Sequence, residues 1–237
     1  MITDTLTSVS QNGSHAAMAR LARFIVPGIP HHVTQRGNGR AQVFFRDGDY
    51  ARYRDWLGAA CRAQGVETWA WVLMPNHVHL ILAPSDSDGL RRVLAPLHRR
   101  YAGYIHARDD RCGHFWQGRF GCVAMDEPHL AAAVRYVLLN PVRAGLAERP
   151  LDWPWSSAHA HLRGRDDGLT VRGPVAGRYP DLAALLEAGE DGVMSERLRR
   201  AERVGRPVGD RAFLDGLAQS SSRALEPGRR GRKPKRP

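Results

Sequence analysis

Two runs of strand-forming residues, Glu67 to Met74 and His77 to Leu82, are parted only by Pro75-Asn76. The first run is rich in Trp and Val, and the second reads His-Val-His-Leu-Ile-Leu. Pro and Asn break a strand, and so short a connection leaves the two runs no room except to pair antiparallel, which predicts a β-hairpin. A shorter strand is predicted from His31 to Gly37, closed by the turn signal Gly37-Asn38-Gly39. Residues 48–64 read as an amphipathic helix with Tyr50, Tyr53, Leu57 and Cys61 on one face, and residues 89–107 as a second helix bearing Arg91, Arg92, Arg99 and Arg100. A brief strand follows from Cys122 to Met125. Asp126 is an N-cap with Pro128 in the first turn, opening a helix to about Leu139 that Asn140-Pro141 is expected to end. Strand, helix, strand, strand, helix, strand, helix over residues 28–140 predicts an α+β sandwich with an antiparallel sheet.

Around this core the chain divides by composition. Residues 1–17 are expected to form a disordered leader, with Met18 a candidate start, and residues 18–162 the folded domain, its Trp- and Pro-rich segment 151–161 wrapping the core. Residues 163–219 form an extension with peripheral helices near 180–188 and 195–203, and residues 220–237 a basic tail too charged to fold alone. The formal charge of +11 comes from 35 Lys+Arg against 24 Asp+Glu, and only Lys233 and Lys235 are lysines. More than half of that excess lies in the last nineteen residues. A basic tail on a mildly basic body favours a polyanionic partner, nucleic acid before membrane. The arginine bias has a second reading in a GC-rich genome. The longest nearly apolar stretch, Thr68 to Met74, is far short of the roughly 20 residues of a membrane helix, and the first seventeen residues have neither the basic start nor the apolar run of a secretory signal. Cys61, Cys112 and Cys122 show no metal-knuckle spacing, so a reduced cytoplasmic setting is expected.

The candidate chemistry starts at His77-Val78-His79. In a strand alternate side chains share a face, so both imidazoles point one way and can hold one divalent metal ion. Eleven histidines make one such pair unremarkable by chance, and His159-Ala160-His161 repeats the spacing. On the helix that follows Asp126, Tyr136 and Asn140 lie four residues apart and share a face. A tyrosine hydroxyl beside a phosphate-binding metal can attack phosphorus, and Asn140 can add an oxygen ligand. Equally, Tyr136 can be a core aromatic and Asn140 a helix terminator. Tyr101 and Tyr104, on the basic helix, are rival nucleophiles. Trp116 and Phe120 can stack on bases or pack in the core.

The succession VTQRGNGR at 33–40, WVLMPNHVHLIL at 71–82, HFWQGRF at 114–120, RYVLLNPVRAG at 135–145 and DWPWSS at 152–157 resembles the REP-associated tyrosine transposases, a branch of the single-tyrosine HUH transposases. The resemblance implies a ferredoxin-like sandwich whose sheet carries the histidine pair. It implies that His77, His79 and Asn140 bind a divalent cation, magnesium or manganese, with no small-molecule cofactor, and that Tyr136 is the nucleophile. Cleavage of single-stranded or hairpin DNA through a 5′-phosphotyrosine, followed by strand transfer, is the implied activity, by a monomer or homodimer. Arg36, Arg40, Arg119 and Arg143 lie in the motifs and are candidates for DNA contact. So are Arg229, Arg230 and Arg232 in the tail, where Arg-Gly-Arg resembles an AT-hook interrupted by Lys233. Two other readings remain open at this level: a hairpin-binding regulator without catalysis, and a small-phosphoester metallohydrolase, for which extra carboxylate ligands are missing.

Overall fold

The computed structural model describes residues 23–189 and 192–220. Its centre is a four-stranded antiparallel sheet of β1 (His31–Arg36), β2 (Val66–Met74), β3 (His77–Pro84) and β4 (Gly121–Ala124), in the spatial order β2-β3-β1-β4. Helix α1 (Asp47–Ala63) joins β1 to β2, and α2 (Gly89–Asp109) joins β3 to β4. The two helix crossovers and the central hairpin give the antiparallel α+β sandwich predicted from the element order, with the ferredoxin-like topology that the motif resemblance implies.

Both faces of the sheet are covered, which is why its strands read as almost unbroken apolar runs. On one face Val33, Trp71, Leu73, Val78, Leu80, Leu82 and Cys122 pack against Tyr53 and Leu57 of α1 and Leu90, Leu94, Tyr101 and Ile105 of α2. On the other, Ala70, Val72, Met74, Ile81 and Val123 pack against Leu130, Ala133, Val134, Val137 and Leu138 of α3 (Glu127–Arg143). A bulge between Thr68 and Ala70 shifts the register within β2. It changes the alternation, so that Thr68 reaches Cys61 of α1 while Ala70 and Val72 face α3.

Helix α3 runs four residues past the predicted end, through Asn140-Pro141 to Arg143. Pro141 lies in the last turn, where its missing N–H and its ring disturb a single hydrogen bond, and its burial holds it there. Asp126 caps the helix by accepting from the backbone N–H of His129, as predicted. Beyond it come α4 (Ala158–Arg163), α5 (Gly173–Arg178), α6 (Leu182–Glu187), α7 (Gly192–Val204) and α8 (Arg211–Ser220). Helices α4, α5 and α8 had no counterpart in the sequence reading. Leu182, Leu186 and Leu198 of α6 and α7 are buried in the same cluster as α3.

The C-terminal half also closes both edges of the sheet. At β2, the Leu73 N–H donates to the Trp155 carbonyl, Ser157 N–H to Trp71, and Val171 N–H to Thr68. At β4, Val208 N–H donates to Ala124 and Asp126 N–H to Val208. Exposed strand edges invite pairing with other chains, and here the protein's own segments occupy them.

Candidate active site

The face of the sheet under α3 carries a group of histidines. The antiparallel register places Arg36 opposite His77 and Thr34 opposite His79. His77 and His79 lie with ring centroids 4.9 Å apart, and the His79 ring meets Tyr136 edge to face at 5.1 Å. The Arg143 guanidinium sits 4.5 Å from the Tyr136 ring centroid. One turn beyond Tyr136, Asn140 is only 6% exposed. Strand β3 and helix α3, 59 residues apart in sequence between His77 and Tyr136, thus contribute to one site because α3 folds back across the sheet.

The electrostatics keep the imidazoles neutral. Burial, then the Arg36 charge, brings His77 down to about 3. His79 lies well below the ordinary histidine value, through burial first and then the positive potential of His77, His32, Arg36 and Arg143. A neutral imidazole is the form that ligates a metal. Hydrogen bonding selects which nitrogen is available. Asn76 donates its amide N–H to the Arg40 carbonyl, at 3.0 Å, so its Oδ1 accepts from His77 Nδ1 at 2.6 Å and Nε2 of His77 keeps the lone pair. His79 Nδ1 lies 3.0 Å from Nε2 of His32, while His79 Nε2 is buried and has no hydrogen-bond partner among the described residues.

No group of three or more His, Cys, Asp or Glu side chains among the described residues could hold a metal. A cation at this site therefore needs a ligand of another type beside the two imidazoles, and the carboxamide of Asn140 is of that type. The orphaned Nε2 of His79 and two neutral imidazoles from one strand fit such an ion.

Not every candidate falls here. His159 and His161 repeat the spacing but lie in helix α4, where residues two apart diverge, and His161 Nε2 bonds the Trp69 carbonyl. Tyr101 is fully buried on the opposite face with its hydroxyl donating to the Val43 carbonyl, and Tyr104 bonds Asp49. Phe120 is core, covered by the Arg23 guanidinium at 3.6 Å, and Trp116 is half-buried with its indole N–H on the His98 carbonyl. Arg40 and Arg119 are exposed. Arg229, Arg230 and Arg232 lie outside the described residues. His32 was missed by sequence reading. Its partnership with His79 arises from the diagonal contact between β1 and β3, which no local spacing reveals.

The five motifs meet in space. Asn38 N–H donates to Phe115, Gln117 N–H to Arg36, and Gln35 to the Gly118 carbonyl, tying the segment at 114–120 to β1. The segment at 152–157 pairs along β2. Residues 26–139, which contain the sheet, α1 and α2, match the family model described as transposase, IS200 like. These residues are thus similar to IS200-like transposases. A Haemophilus influenzae protein provisionally named a REP-associated tyrosine transposase is 27% identical over 142 residues, 52% of this chain and 81% of that one. The Escherichia coli REP-associated tyrosine transposase is 30% identical over 102 residues, 41% of this chain and 58% of the other. The solved structure of a REP-associated tyrosine transposase bound to a REP hairpin superposes with a TM-score of 0.50 at 26% identity, covering 64% of this chain and 90% of its own. The resemblance read from the motifs is borne out, and the proteins this chain resembles are DNA transposases. No helix among the described residues is long and apolar enough to cross a membrane.

Proposed function

We propose that the chain cleaves and rejoins single-stranded DNA at a hairpin, with Tyr136 as nucleophile and a divalent cation, Mg2+ or Mn2+, held by His77, His79 and Asn140. The observation that carries this reading is the edge-to-face contact of Tyr136 with His79, a neutral histidine whose buried Nε2 has no hydrogen-bond partner among the described residues. When bound, the cation neutralises charge developing on the phosphate oxygens and favours in-line displacement. The chain's own residues supply the rest. The Tyr136 hydroxyl loses its proton as its oxygen attacks phosphorus; the bond from phosphorus to the 3′ oxygen breaks, and that oxygen takes up a proton. The products are a 5′-phosphotyrosine and a free 3′-hydroxyl, and attack by another 3′-hydroxyl reverses the step. Arg143, at the Tyr136 ring, and Arg36, opposite His77, supply positive charge for the phosphate.

The hairpin enters through the relative whose solved structure holds a REP hairpin. Arg40 and Arg119 would contact DNA outside the reacting phosphate, and the basic residues 220–237, with Arg229, Arg230 and Arg232, would form an auxiliary arm binding phosphates in a salt-sensitive way. Replacing both His77 and His79 with Ala is expected to abolish cleavage of a single-stranded hairpin oligonucleotide while leaving its binding within about threefold of wild type, and EDTA should reproduce the loss. Cleavage that survives either treatment would overturn the metal site.

A further inference from the structure

His32 is a buried histidine on β1 that the proposed chemistry does not use. It pairs across the sheet with Ile81, so His79 is its diagonal neighbour on the same face. The two imidazoles are nearly parallel, at 17°, with centroids 5.1 Å apart, and His32 Nε2 lies 3.0 Å from His79 Nδ1. His32 also meets Tyr136 edge on, with centroids 5.9 Å apart. We infer that His32 is a positioning residue for His79: its Nε2 accepts the proton on His79 Nδ1, so that His79 Nε2 carries the lone pair on the α3 face. The inference rests on the reading of His79 as a metal ligand.

The far nitrogens, His79 Nε2 and His32 Nδ1, are both buried and make no hydrogen bond among the described residues, so the direction follows instead from the reading of His79 as a metal ligand. A metal on His79 Nε2 needs the lone pair there, which places the ring proton on Nδ1 and makes His32 Nε2, 3.0 Å away, its acceptor. With His79 as donor, Nε2 is a buried lone pair, which a cation can fill. The neighbouring histidine is arranged in the same way, its Nδ1–H fixed by Asn76 Oδ1. Each histidine of the pair thus has its Nδ1 bound to a side chain outside the pair. Groups behind a metal-binding histidine orient the ring and set its tautomer, and their loss costs about 10- to 100-fold in metal affinity. The near-parallel stacking also restrains rotation of the His79 ring.

The test uses the full-length chain with ring-labelled histidine. Long-range 1H–15N spectra of the metal-free protein should show His79 protonated at Nδ1. His32→Phe keeps an aromatic ring but removes the acceptor. It should shift His79 toward the Nε2–H form and weaken Mn2+ binding, measured by calorimetry, about 10- to 100-fold with the circular dichroism spectrum unchanged. His32→Gln can accept through Oε1 and should retain the Nδ1–H form and recover most of the affinity. A wild-type His79 protonated at Nε2 would overturn the inference, as would His32→Phe with unaltered tautomer and affinity, or His32→Gln as impaired as His32→Phe. If His32→Phe fails to fold, the wild-type and His32→Gln spectra decide. Absence of Mn2+ binding in the wild type would instead refute the metal reading, and the tautomer would still decide the role of His32.

Discussion

Tyr101 and Tyr136 are both helical tyrosines in an arginine-rich setting, and burial separates them. Tyr101, on α2, is locked in the core, where desolvation pushes its hydroxyl far above the ordinary range and the hydroxyl donates to the Val43 carbonyl. Tyr136 is only half-buried and lies against His79. The sequence made both candidates and favoured Tyr136 by its motif and by Asn140 four residues on; the packing separates them in space. Asp126 shows the same dependence on context. The sequence marks it as an N-cap, yet its carboxylate accepts from the His129 N–H, from His129 Nδ1 and, through its other oxygen, from the Asp210 N–H. Asp126→Ala removes a cap and orphans further buried donors, so it should cost about 3–5 kcal/mol. Urea unfolding at pH 7 measures this, and a loss below about 1 kcal/mol would show that water replaces the carboxylate.

At the scale of elements, the central hairpin, both crossover helices and the start of α3 were legible because each carries its own periodicity or turn signal. The end of α3 was misread because Pro141 reads locally as a stop, while burial against the rest of the cluster carries the helix one further turn. The edge coverings were illegible for a different reason. Val208 pairs with Ala124 and Asp126 across more than 80 residues, and nothing in the short segment around Val208 resembles a strand. A chain ending at Gly205 would bare the β4 edge and remove the Asp210 contact to Asp126. It should melt several degrees lower and self-associate as its concentration rises, because an unpaired edge templates pairing. Light scattering and thermal unfolding check both; a truncated chain that matches the full one in each would show that the β4 covering is dispensable.

The whole molecule is three layers, with α1 and α2 on one side of the sheet and α3 with its C-terminal covering on the other. Enclosing histidines in these layers has a consequence for acid stability. Burial brings His31 to about 4 and His98 to about 3. Both are neutral in the folded chain, whereas unfolded histidines take up protons below about pH 6.5. Their stabilising contribution is therefore complete above that pH and falls as the medium is acidified toward 4. By pH 5 the loss is about 2 kcal/mol for each histidine. Urea midpoints at pH 7 and pH 5 should differ in that direction, and an equal or higher midpoint at pH 5 would contradict it.

The composition pointed to a polyanionic partner without locating it. The candidate site was legible in the pairing of His77-Val78-His79 with Tyr136 and Asn140, whereas His32 emerged only from the sheet register. The most direct test is to incubate the full chain with a single-stranded hairpin oligonucleotide and Mn2+, then map any covalent protein–DNA adduct by peptide mass spectrometry. The account predicts a 5′-phosphodiester link to Tyr136 that is absent from Tyr136→Phe. An adduct on another residue, or one undiminished in Tyr136→Phe, would contradict it.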